Sequence, residues 1–68
     1  MQRNYINSSN ISSVGYDGST LEIEFNDSGV YQYSHVPEHI YSGLINAHSK
    51  GRYFHSYIKD HYTYREVA

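Results

Sequence analysis

The sequence predicts an α+β domain in which a three-stranded antiparallel meander is followed by two helices packed on one face, in the order β-β-β-α-α. Three stretches carry that expectation. Leu21, Ile23 and Phe25 alternate with Glu22 and Glu24, the period of a strand with one buried face. Asn26-Asp27-Ser28-Gly29 then reads as a hairpin turn, after which Val30–Val36 resumes strand-forming residues. From Pro37 onward the period changes, because Ile40, Leu44 and Ala47 recur at helical spacing.

Met1–Asn10 is polar and ends in the turn formers Ser8-Ser9-Asn10, so residues 1–10 are expected to be flexible or loosely packed and residues 11–68 to form the single domain. Tyr5 and Ile6 are the side chains there able to pack on a sheet. Ile11–Asp17 reads as the first strand, and Asp17-Gly18-Ser19 as its turn. A two-residue loop at either Asp17-Gly18 or Gly18-Ser19 puts Val14 and Tyr16 on the Leu21/Ile23/Phe25 face. Ile11 is out of phase with Val14 and needs either a bulge or a place on the other side of the sheet. In the next hairpin, a three-residue loop Asp27-Ser28-Gly29 with Gly29 in the left-handed region pairs Phe25 with Tyr31, Ile23 with Tyr33 and Leu21 with His35. Tyr31 and Tyr33 then share the aliphatic face. A loop one residue longer would turn both outward.

Pro37 suits the first turn of a helix, and Glu38 the positive end of its dipole. This helix should reach about His48, weakened at Gly43 by about 1 kcal/mol relative to alanine. Ser49 is the expected N-cap of a second helix over roughly Lys50–His61. Tyr53, Phe54, Tyr57, Ile58 and His61 fall on one side of it, and Arg52, His55, Ser56 and Lys59 on another. Tyr62–Val67 alternates again and is expected to lie extended along the sheet.

A chain of 68 residues buries only about 60% of the surface its unfolded form exposes, so the core must be small. There is no cysteine to supply disulfides or thiolate ligands, which fits a reducing, cytoplasmic compartment. Nine tyrosines and two phenylalanines compensate for the modest aliphatic content, since a tyrosine buries its ring while its hydroxyl stays wet. No apolar run is long enough for a membrane span or a secretory signal. The net charge of −2 is unevenly spread. Arg3 against Asp17, Glu22, Glu24, Asp27 and Glu38 leaves residues 1–47 at −4, whereas Lys50, Arg52, Lys59 and Arg65 against Asp60 and Glu66 leave residues 48–68 at +2.

The order of Ser8-Ser9-Asn10-Ile11, Val14-Gly15-Tyr16-Asp17, Leu21–Phe25, Val30-Tyr31-Gln32-Tyr33 and Val36-Pro37 resembles the KTSC domain. Ala47-His48-Ser49-Lys50-Gly51-Arg52-Tyr53-Phe54, Ile58-Lys59 and Tyr62-Thr63-Tyr64 extend the likeness over about Asn7 to Val67. That family is named for its place at the C-terminus of some lysyl-tRNA synthetases, and it also forms free-standing bacterial and phage proteins. The resemblance implies no established activity. It implies RNA binding only through the fusion to a synthetase. The family's central Tyr-x-Tyr falls on Tyr31 and Tyr33, which the hairpin register makes structural.

Catalytic chemistry finds no foothold in the residues. No serine lies in a G-x-S-x-G elbow. Glu22 and Glu24 project together from the outer face, where a carboxylate pair more often serves solubility than glycoside chemistry. No catalytic residue, cofactor or metal site is therefore expected, and the reading is a non-enzymatic binding module. The basic second half supplies the candidate contact set Lys50, Arg52, His55, Lys59 and Arg65. Arg52, His55 and Lys59, at i, i+3 and i+7, should line one helix side. That stripe is either a solvated face or an anion contact surface. RNA is the first expected partner and another protein the alternative; a membrane is not expected. His35 and His39 straddle Pro37 rather than sharing a helix face, so they do not form the i, i+4 pair that a zinc site uses. Thermal melting should accordingly be the same with and without EDTA, and a stoichiometric zinc lost with a fall in Tm would contradict this.

Overall fold

The computed structural model describes residues 1–68. Its elements are β1 (Asn4–Tyr5), β2 (Ile11–Tyr16), β3 (Leu21–Phe25), β4 (Gly29–Tyr33), α1 (Glu38–Asn46), α2 (Lys50–Tyr57) and β5 (Tyr64–Glu66). The α+β architecture with two helices is present, but the antiparallel sheet has five strands in the order β1-β2-β3-β4-β5 rather than three. The added strands are the two edges. β1 has only two residues, too few to show a period, and β5 is the alternating tail laid against β4. Residues 1–10, expected to pack loosely, also contribute Arg3, whose guanidinium pairs with Glu22.

In the β2–β3 hairpin Tyr16 pairs with Leu21 and Val14 with Ile23, the register of a Gly18-Ser19 loop. Asp17 holds that turn through its side-chain Oδ1, which accepts from the N–H groups of Ser19 (3.0 Å) and Thr20 (2.7 Å). A bulge lies between Ile11 and Ser13, and it returns Ile11 to the helix-facing side, where it is 1% exposed.

The β3–β4 register corrects the expectation. Phe25 pairs with Gly29, Ile23 with Tyr31 and Leu21 with Tyr33, so the loop is Asn26-Asp27-Ser28. Asn26 leaves the ladder because its N–H donates to the Asn10 carbonyl (3.0 Å) and its Nδ2 to that of Ser9 (2.8 Å). Gly29 adopts φ +116° as the first residue of β4. The shift is by two residues, an even number, and the tyrosines stay on the aliphatic face.

Val36 ties the first hairpin to α1. Its N–H donates to the Ser19 carbonyl (2.7 Å), and its own carbonyl accepts from the Tyr16 hydroxyl (2.6 Å). Tyr16 in turn stacks on Tyr41 of α1, with ring centroids 4.5 Å apart. Pro37 is the N-cap of α1 rather than a residue of its first turn, and Ala47 turns extended, ending the helix before His48. Ser49 caps α2 as expected, its hydroxyl accepting from the Arg52 N–H (3.3 Å).

Beyond Tyr57 the regular helix stops, four residues short of the expected end at His61. The N–H groups of Ile58 and Lys59 both donate to the Phe54 carbonyl (2.9 Å each), and Asp60 at φ +67° reverses the chain toward β5. Tyr57 (53% exposed) and His61 consequently lie outside the core. The core itself is Ile11, Val14, Leu21, Ile23, Tyr33 and Val36 beneath Leu44, Phe54 and Ile58.

Gly43 lets the two helices approach closely. A Cβ there would sit 2.6 Å from Cζ and 2.9 Å from Cε2 of Tyr53. Helix propensity alone favours Gly43→Ala by about 1 kcal/mol, but overpacking of this kind costs about 1–3 kcal/mol. The clash should win, because the Tyr53 ring is held against Tyr57 at 4.6 Å. Gly43→Ala is expected to lower Tm by several degrees; a higher Tm would show that the Tyr53 ring moves aside at no cost.

Candidate functional site

The inner face of the sheet is not covered uniformly. Beside the end of α2, five aromatic rings close into a circle. Phe25 lies 5.7 Å from Tyr31, Tyr31 5.9 Å from Tyr64, Tyr64 5.6 Å from Tyr33, Tyr33 5.5 Å from Phe54, and Phe54 5.1 Å from Phe25. These rings, with Ser28, Lys59 and Asp60, line an open-sided hollow of about 340 Å³. β3 and β4 supply Phe25, Tyr31 and Tyr33 because alternate residues share a face. The cross-strand pairing of Tyr33 with Tyr64 brings β5 to the same place.

The rings differ in what they can do. Tyr33 is buried, and burial pushes its phenol up to about 12, with the neighbouring Tyr64 and Tyr31 phenols adding to the effect. Tyr31 is half-buried, and Tyr64 is 58% exposed. The expectation that Tyr31 and Tyr33 face the helices holds, yet the same two rings form the floor of the hollow.

The candidate basic residues are not brought together. Because α2 ends at Tyr57, the i, i+3, i+7 line is broken: Lys59 lies on the rim of the hollow, while Arg52 and His55 remain exposed on the helix. His55 stays close, with its ring edge-on to Phe54 at 6.0 Å. Lys50 turns back, its Nζ donating to the Ala47 carbonyl (3.1 Å). Arg65 is opposite Gln32 on the other side of the sheet and donates to Gln32 Oε1 (3.3 Å). The rim instead holds Asp60, which the sequence reading did not single out. Neither Lys59 nor Asp60 makes an ion pair or a side-chain hydrogen bond within the chain, Arg3–Glu22 being the ion pair that forms.

The outer face is a polar network rather than a solvated pair of glutamates. Glu22 is only 5% exposed and accepts from Gln32 Nε2 (2.7 Å) and from Arg3. Arg3 also donates to Ser13 (2.9 Å), whose hydroxyl donates to Glu24 (2.9 Å). The Gln32 hydrogen bond, and then Arg3, hold the Glu22 carboxyl below the usual range against the opposing effect of burial. No three acidic or histidine side chains gather in a metal-binding arrangement, and no helix is long and apolar enough to cross a membrane.

The buried phenol has a consequence in alkali. A tyrosine whose folded value is raised contributes stability that is intact below the unfolded value of about 10 and is lost as pH climbs toward about 12. In a spectrophotometric titration, Tyr33→Phe should remove the last tyrosinate step of the folded protein. Persistence of that step in the variant would place the buried phenol elsewhere.

Comparison with known proteins agrees with this architecture. The KTSC domain matches residues 7–62. A protein of uncharacterized function from Stutzerimonas stutzeri is 39% identical over 98% of this chain and 99% of its own length. Lysine–tRNA ligases from Nostoc sp. and Trichormus variabilis are 41% and 43% identical over 72% of this chain, which spans only 9% of each ligase. The crystal structure of a KTSC domain protein from Yersinia pestis superimposes with a TM-score of 0.95 at 42% identity, covering 98% of this chain and 97% of that one. With a family match over most of its length and a near-full-length structural relative, the chain belongs to the KTSC domain family.

Proposed function

We propose that this domain is a non-enzymatic RNA-binding module that takes single-stranded RNA on the aromatic hollow and the cations beside it. The observation that carries the reading is the closed circle of Phe25, Tyr31, Tyr33, Phe54 and Tyr64 with Lys59 at its rim. Aromatic faces stack unpaired bases, and a neighbouring ammonium neutralises a phosphate. Arg52 and His55 extend the contact along α2, whereas Lys50 and Arg65, engaged elsewhere, fall outside it. The relatedness to a segment of lysine–tRNA ligases, enzymes named for a tRNA substrate, supports the same class of ligand. It also suits a cytoplasmic setting.

Two or three phosphate contacts make a weak binder. Log K should fall by about 0.7 per contact as log salt rises, giving micromolar or poorer affinity at physiological salt. Single-stranded RNA titrated at low and moderate salt is therefore expected to bind the parent weakly and Arg52→Glu/Lys59→Glu hardly at all. Tyr64→Ala, which removes an exposed ring, should weaken binding by about 1–3 kcal/mol with Tm nearly unchanged. Equal binding by the parent and both variants would remove this surface from consideration. No binding by the parent even at low salt would turn the reading to protein interaction, for which the exposed Tyr57 and Tyr64 are available.

A further inference from the structure

Within the RNA reading, on which this step rests, we infer that the hollow takes one unstacked guanine, with Asp60 reading its Watson–Crick edge and Lys59 pairing with its phosphate. About 340 Å³ is at the lower end of the roughly 300–1,000 Å³ of small-molecule sites, so the space suits one base and not a stacked run. Its walls are aromatic. Its polar groups are few and of opposite sign: the Lys59 ammonium, the Asp60 carboxylate and the Ser28 hydroxyl. Lys59 and Asp60 are adjacent in sequence and both line the hollow, yet they do not pair with each other or with any other side chain. Both are exposed to solvent, and a ligand that engages the two together carries an anion and a hydrogen-bond donor edge on one molecule. A nucleotide does.

The carboxylate selects the base. An ionised aspartate only accepts hydrogen bonds and has two oxygens with which to do so. Guanine presents two adjacent donors, N1–H and the N2 amine, that match a carboxylate in a bidentate pair. Adenine and cytosine put a ring-nitrogen acceptor beside their amine, so a lone pair would face Asp60. Uracil offers one N–H between two carbonyl oxygens. A cationic side chain such as arginine or trimethyl-lysine would also suit aromatic walls and a carboxylate, but the Lys59 ammonium in the same rim opposes a cation.

The test uses the whole chain and short oligouridylates carrying guanine, inosine, adenine, cytosine or uracil at the central position, followed by fluorescence anisotropy at low salt. Asp60→Asn is the informative variant. Asparagine tolerates the left-handed backbone that Asp60 adopts at φ +67° and keeps its size, but it has one carbonyl oxygen in place of two. The guanine oligomer is expected to bind the parent roughly 5–150-fold more tightly than the all-uridine one, the range of one good bidentate base contact. Inosine, which lacks the N2 amine, should lose part of that preference. Asp60→Asn should abolish the guanine preference while tightening the all-uridine oligomer, because a negative charge beside the phosphate is removed, and Lys59→Ala should weaken every oligomer alike. Equal binding of all oligomers by the parent would overturn the guanine assignment and leave the RNA reading standing. A preference that survives Asp60→Asn would overturn it as well. Failure of every oligomer would overturn both readings, and binding of an arginine or trimethyl-lysine peptide instead would replace them with a cation site.

Discussion

Alternation along the β3–β4 hairpin divides this molecule into its working layers. Leu21, Ile23, Phe25, Tyr31 and Tyr33 face the helices, while Glu22, Glu24 and Gln32 face away. A slip of one residue between these strands would turn Tyr31 and Tyr33 into water and put Gln32 beneath the helices. One part of the inner face is an aromatic strip, where Phe25, Tyr31, Tyr33, Phe54 and Tyr64 pack ring to ring and line the hollow.

The same rings therefore serve stability and access. Edge-to-face pairs contribute about 0.5–1.5 kcal/mol each beyond the area they bury, which matters in a core of nine buried residues. Tyr33 and Phe54 belong to that core, and Tyr64 is mostly outside it. On the opposite face, Arg65, Gln32, Glu22, Arg3 and Ser13 link four strands through side-chain hydrogen bonds. That network leaves Glu22 buried without leaving it unpaired, the condition under which a charge in a low-dielectric setting is tolerated.

Much of this was legible from local pattern. The facing of Val14, Tyr16, Tyr31 and Tyr33, the out-of-phase position of Ile11 and the Ser49 cap all follow from period, turn residues and capping chemistry within a few positions. Three features did not. The two-residue register shift arises from bonds between Asn26 and the Ser9–Asn10 loop, sixteen or more residues away in the chain. The early end of α2 depends on Asp60 taking a left-handed conformation, which an aspartate tolerates but does not announce. That one turn moved Lys59 from the expected helix stripe to the rim of the hollow. The position of Arg65 on the far face was hidden for a simpler reason. β5 pairs with β4 across more than thirty residues of sequence, and no local period reports its register.

The claim on which the functional account turns is that the aromatic strip, and not the polar outer face, meets the ligand. Backbone and aromatic side-chain NMR shifts recorded during titration with single-stranded RNA at low salt would locate the contact directly. The expected result is that perturbations centre on Tyr64, Tyr31, Ser28 and Lys59, with Arg52 and His55 responding more weakly. Shifts confined to Arg3, Tyr5, Gln32 and Arg65 on the outer face would contradict the account.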